Sequence, residues 1–91
     1  MKARLLRIEG RVQGVGYRDW LIRQAGSAGL SGWVRNRADG TVEALLSGEE
    51  AAVGAVLLAA RRGPPLARVD RIEESFAEAP EEPGFQRRPT L

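Results

Sequence analysis

A chain of 91 residues with 43% hydrophobic content can build one small domain around a single core, and no more. It contains neither cysteine nor histidine, which excludes disulfides, thiolate chemistry and cysteine-based zinc sites and removes the commonest general base and metal ligand. The formal charge is only +2, so the basic isoelectric point reflects a shortage of groups titrating near neutrality and is no signature of nucleic-acid binding.

The first residues lack the apolar core of a signal peptide, since Leu5-Leu6 is too short, and no run approaches membrane-spanning length. A soluble cytoplasmic protein with no membrane or nucleic-acid partner is therefore expected. From Leu6 onward, Leu6, Ile8, Gly10 and Val12 fall on one face and Leu5, Arg7, Glu9 and Arg11 on the other, the alternation of a half-buried strand. Gly10, Gly14 and Gly16 then interrupt it. Tyr17 to about Gly29 reads as a helix with Tyr17, Trp20, Leu21, Ala25 and Ala28 on one stripe and Gly29 as its stop.

Leu30 to Arg37 predicts a short strand, Asp39-Gly40 a hairpin turn, and Thr41 to Leu46 the returning strand. Ser47-Gly48-Glu49-Glu50 has capping-box spacing. The helix expected after it buries Val53, Val56, Leu57 and Ala60 and ends at Gly63-Pro64-Pro65. A further strand is expected over Ala67 to Phe76, where Val69 and Ile72 are out of phase and call for a bulge or an irregular start. Residues 79–84 read as a loop, Phe85 to Arg87 can form a short edge strand, and 88–91 read as a loose tail.

The predicted order, strand, helix, strand, strand, helix, strand, is the split β-α-β of a ferredoxin-like α+β sandwich (βαββαβ). An antiparallel sheet with two helices on one face is expected, in one domain over 1–91, with room for a short extra C-terminal strand.

The stretch Gly10-Arg11-Val12-Gln13-Gly14-Val15-Gly16-Tyr17-Arg18 lies where the first strand ends and the first helix begins. Its glycines allow a tight turn with N–H groups pointing inward, and the helix N-terminus adds partial positive charge, so an anion fits there. Arg18 sits in the first helical turn, where the helix dipole disfavours a cation by roughly 0.3–1 kcal/mol. Asp19 can offset part of that, and a bound phosphate forked by the guanidinium would reverse it. The Walker A pattern fails for want of a lysine, and the dinucleotide fingerprint fails at Asp19. Composition alone leaves open a plain glycine-rich connector with an exposed arginine.

Asn36 is the second candidate. Turn initiation before Ala38-Asp39-Gly40 accounts for it by itself. In a split β-α-β unit, however, the first two strands run parallel, so the glycine loop and Asn36 leave the sheet at the same edge. Trp20 and Trp33 read as packing residues, Arg61-Arg62 as a helix C-terminal pair, Arg87-Arg88 as a solvated tail, and Glu73-Glu74 and Glu81-Glu82 as solvated charges.

Gly10 through Arg18, followed in order by Gly32-Trp33-Val34-Arg35-Asn36 and Asp39-Gly40-Thr41-Val42-Glu43, strongly resembles acylphosphatase. The likeness extends through Gly63-Pro64 and Ala67-Arg68-Val69 and is poor in the fourth strand and in the tail after Phe85. It implies a ferredoxin-like fold and hydrolysis of the carboxyl-phosphate bond of small acyl phosphates, without cofactor, metal or covalent intermediate. By resemblance, Arg18 binds the phosphate and Asn36 positions the attacking water. The backbone of Gln13, Gly14, Val15, Gly16, Tyr17 and Arg18 forms the phosphate cradle. Gly16-Tyr17 stands where some members carry two aromatics.

The residue inventory suits that reaction. A carboxylate leaves with little protonation, so no general acid is needed, and only charge stabilisation and aim remain. The implied partners are a small acyl phosphate, and inorganic phosphate as product or inhibitor, acting on a monomer. An RNA-binding version of the fold would want aromatics on its central strands, and neither the first strand nor 41–46 has any. A phosphate-sensing domain without turnover would not require both Arg18 and Asn36. A domain of a larger carbamoyl-phosphate-handling enzyme is the third reading; the start at Met1 and the end soon after the fold closes are taken to favour a standalone protein.

Overall fold

Alternating apolar residues in the first strand and a helical stripe after it produce the expected layers in the computed structural model, which describes residues 2–91. Strands β1 (Lys2–Arg11), β2 (Ser31–Asn36), β3 (Val42–Ser47), β4 (Arg68–Glu78) and β5 (Phe85–Arg87) form one sheet in the order β4-β1-β3-β2-β5. Helices α1 (Tyr17–Ser27) and α2 (Glu50–Arg62) lie against it. Leu6, Ile8 and Val12 from β1 and its exit meet Tyr17, Leu21 and Ala25 of α1 and Val53, Val56 and Ala60 of α2 in one core.

Sequence and structure agree on the faces. β1 is antiparallel to β3 and β4, and β2 is antiparallel to β3, so β1 and β2 run parallel and end at one edge. The antiparallel expectation holds for β1 to β4. β5 departs from it: Gly32 faces Phe85 and Val34 faces Arg87 in parallel register, which makes the sheet mixed. The open face carries a second, smaller cluster of Ala3, Trp33 and Leu45. There the guanidiniums of Arg35 and Arg88 lie over the Trp33 ring, 4.6 and 4.9 Å from its centre.

Two local expectations are corrected. The capping box over Ser47 to Glu50 does not form. Ser47 is the buried last residue of β3, paired with Ser31, and the helix cap is Glu49, whose carbonyl accepts the Val53 N–H at 2.9 Å. Ladder pairing holds Ser47 in extended backbone two residues too early to cap. Nor is 88–91 a loose tail. The Arg88 N–H donates to the Val34 carbonyl (2.9 Å), the Leu91 N–H to the Asn36 carbonyl (3.1 Å), and the Ala38 N–H to the Leu91 carbonyl (2.8 Å). The edge of β2 had open backbone groups, and the tail satisfies them.

The phase break between Val69 and Ile72 is a bulge. Glu9 faces Arg71 and Gly10 faces Val69, so Asp70 is the unopposed residue on β4. The bulge presses the β4 backbone onto Gly10, which has φ +131°; a Cβ there would lie 2.1 Å from the Arg68 carbonyl oxygen. Backbone is met on both counts, and no side chain can yield. Gly10→Ala is therefore expected to lower stability by at least about 2 kcal/mol. An unchanged urea midpoint would refute the close approach.

Candidate active site

The chain leaves β1 at Arg11 and reaches α1 at Tyr17 through a turn that needs left-handed backbone. Gly14 has φ +73° and Gly16, the residue before the helix, φ +81°. Both face open space, so the requirement is conformational, and an L side chain would cost about 1–2 kcal/mol at each. No side chain caps α1. Its first backbone bond within the turn runs from the Trp20 N–H to the Gly16 carbonyl at 3.1 Å. Among the described residues, the N–H groups from Gln13 to Asp19 donate to no backbone carbonyl or side chain. A row of unpaired N–H groups at a helix N-terminus is an anion cradle.

The loop is held open from both sides. The Gln13 Nε2 donates to the carbonyls of Arg37 (2.8 Å) and Thr41 (2.9 Å), tying the loop to the β2–β3 hairpin. That hairpin is stiffened by Asp39, whose carboxylate accepts from the Thr41 hydroxyl and N–H. These bonds hold the Asp39 carboxyl below the usual carboxylate range. On the other side the buried Tyr17 hydroxyl donates to the Ala60 carbonyl at 2.7 Å. Helix geometry would give that carbonyl the N–H of residue 64, and residue 64 is proline. Tyr17 supplies the donor that Pro64 lacks, and burial pushes its phenol pKa up.

Arg18 lies in the first turn of α1, with Gly14, Gly16, Asp19 and Arg87, on a cavity of about 210 Å³. Larger clefts exist, one of about 350 Å³ beside Lys2, Arg4 and Phe76. That one also borders an uncapped helix N-terminus, at Gly48 and Glu50, but has no arginine in its first helical turn, so chemistry and not volume selects the loop. Among the described residues Arg18 belongs to no ion pair. Asp19, expected to compensate Arg18, instead pairs with Arg87.

Asn36 is the last residue of β2 and is not a lining residue of that cavity. It stands at the same sheet edge, one residue before the Arg37 carbonyl that Gln13 holds. Its Oδ1 is buried and has no hydrogen-bond partner. A buried acceptor without a donor is costly, by about 1–3 kcal/mol, and rare outside functional sites. The site thus presents unused donors on the loop and an unused acceptor on β2.

Of the cradle residues, Gly14, Gly16, Tyr17 and Arg18 line the cavity and Gln13 and Val15 do not; the Val15 side chain packs against the core and the Tyr17 ring is buried in it. Only their backbone can serve a ligand. Sequence reasoning missed Arg87, read as solvated tail, and the clamping roles of the Gln13 and Tyr17 side chains. The spacing of Phe85 and Arg87 was the available signal for the first. Residues two apart on a strand share a face, and Phe85 is packed against the core.

Tyr17→Phe removes the donor to Ala60 and is expected to lower stability by about 1–2 kcal/mol, read from urea denaturation. Wild-type stability would show that the Ala60 carbonyl finds another donor.

The acylphosphatase family model matches residues 5–87. An acylphosphatase of Rhodospirillum rubrum is 58% identical over the whole of both chains. The crystal structure of an acylphosphatase from Bacillus subtilis superposes with a TM-score of 0.88 at 36% identity, covering 94% of this chain and 97% of that one. An acylphosphatase structure from Coxiella burnetii gives a TM-score of 0.90 at 28% identity, with coverages of 96% and 92%.

Proposed function

The chain belongs to the acylphosphatase family of hydrolases acting on acyl phosphates, and we propose that it hydrolyses small acyl phosphates at the loop from Gln13 to Arg18, with Arg18 and Asn36 as its catalytic residues. One observation carries this reading: among the described residues, a guanidinium in no ion pair and a buried, unpartnered carboxamide oxygen stand at one sheet edge, beside a row of free N–H groups.

The phosphoryl group takes the acceptorless N–H groups and the Arg18 guanidinium, which forks onto two of its oxygens. These donors are fixed before substrate arrives, by Gln13 and Tyr17, so no reorganisation is needed as charge builds. The Asn36 Oδ1 accepts a hydrogen bond from a water, turning a lone pair of that water toward phosphorus. The water oxygen bonds to phosphorus as the bridging P–O bond breaks, and the carboxylate leaves with the bridging oxygen and its electron pair. An asparagine is no base at neutral pH, so the proton of the water passes to a phosphoryl oxygen of the substrate. The products are carboxylate and inorganic phosphate.

The same inventory serves an alkyl phosphate poorly, because an alkoxide needs a general acid to leave. Cytoplasmic residence and a monomeric state complete the proposal; among the described residues no helix is long and apolar enough to cross a membrane.

Benzoyl phosphate hydrolysis, with an alkyl phosphate monoester as control, tests the reaction. Arg18→Ala is expected to lower kcat/KM by at least about 10³-fold and to weaken inhibition by phosphate. Asn36→Ala is expected to lower kcat by about 10²-fold or more while phosphate still inhibits as in the wild type. Full activity in either variant refutes the assignment. Because the loop and Arg18 supply the positive charge, activity should also survive EDTA, and a metal requirement would contradict the mechanism.

A further inference from the structure

The loop cavity carries three formal charges: the guanidiniums of Arg18 and Arg87 and the carboxylate of Asp19. Arg87 arrives there through the parallel pairing of β5 with β2. Phe85 packs against the core, and Arg87 shares its strand face, opposite Val34 and toward α1. At that position it takes the Asp19 carboxylate. Asp19 alone would set a negative charge on the wall of a cavity built for a dianion, and would cancel Arg18.

We propose that Arg87 sets the charge of the phosphate cavity: by neutralising Asp19 it leaves the positive charge of Arg18 uncompensated, and it thereby tunes affinity for the phosphoryl dianion. This rests on the reading of Arg18 as the phosphate ligand. Arg87 is a positioning residue; it acts through Asp19 and the local potential and touches no reacting atom.

The three charges make the proposal separable from a structural ion pair. Arg87→Gln leaves one cation facing one carboxylate. Asp19→Asn leaves two cations and no carboxylate. The double variant restores one uncompensated cation, as in the wild type. A pair that served only to tie β5 to α1 would be broken equally by either single change, and both would then weaken phosphate binding.

The pair is exposed, with 44% of the Arg87 and 63% of the Asp19 side chain accessible, so each step is expected to be about two- to fivefold. The experiment measures the inhibition constant of inorganic phosphate and KM for benzoyl phosphate at low ionic strength. It compares the wild type, R87Q, D19N, R87Q/D19N and R18A, with urea midpoints alongside. The expected order of phosphate affinity is D19N tightest, wild type and double variant alike, R87Q weakest. kcat should change less than KM, and the spread should collapse near 1 M salt, where the screening length is about 3 Å. Weakening in both single variants, or a double variant no closer to wild type than R87Q, overturns the proposal. Should R87Q fail to fold, D19N decides alone, since tighter phosphate inhibition supports the proposal and weaker or equal inhibition overturns it. R18A separates the two levels. Undiminished phosphate inhibition in R18A refutes the phosphate site itself, whereas loss of inhibition in R18A with no ordered series in the others refutes only the role of Arg87.

Discussion

Backbone N–H groups are obligatory hydrogen-bond donors, and among the described residues the loop from Gln13 to Asp19 leaves its own without an acceptor. Much of the fold exists to keep it so. The bulge at Asp70 brings β4 against Gly10 and directs the chain out of β1. Gly16 then turns it left-handed into a helix that nothing caps. On one flank Gln13 reaches across to the β2–β3 hairpin, and on the other Tyr17 reaches down to the end of α2. Neither clamp engages a loop N–H. Both engage carbonyls elsewhere, so rigidity is gained without occupying the donors.

Pro64 shows how one residue links two distant tasks. It stops α2, and in stopping it strips the Ala60 carbonyl of its donor. The Tyr17 hydroxyl fills that vacancy from the first residue of α1. Helix termination on one side of the core thus fixes the ring beside Arg18 on the other. The arginine-rich composition is used in the same economical way across the open sheet face. Arg35 and Arg37 both bind the nearly buried Glu43 carboxylate, and Arg35 and Arg88 cover Trp33. Arg18 stands apart from these, a cation at a helix N-terminus with no carboxylate to hold. A bound anion would offset its electrostatic cost.

The two candidate catalytic residues were legible for different reasons. Arg18 was conspicuous because its position violates a local electrostatic rule. Asn36 was inconspicuous locally and became a candidate only through topology, since parallel first and second strands must end together. The apolar periods of β1, α1 and α2 likewise predicted the buried faces, down to Leu6, Ile8, Leu21, Val53, Val56 and Ala60. Ser47 misled because capping-box spacing is a local pattern, and the β3 ladder claimed the serine first.

Sequence alone determined the order of elements, the faces they bury, the glycine turn and the sheet edge at which the first two strands both end, because each follows from patterns within a dozen residues or from chain direction. Tertiary structure alone decided the parallel docking of β5, the pinned tail, the Gln13 and Tyr17 clamps and the pairing of Asp19 with Arg87. Those contacts join residues 24 to 43 positions apart in the clamps, and further still for Arg87. Periodicity carries no record of such separations. They depend on which unpaired carbonyl, strand edge or carboxylate the finished fold leaves within reach.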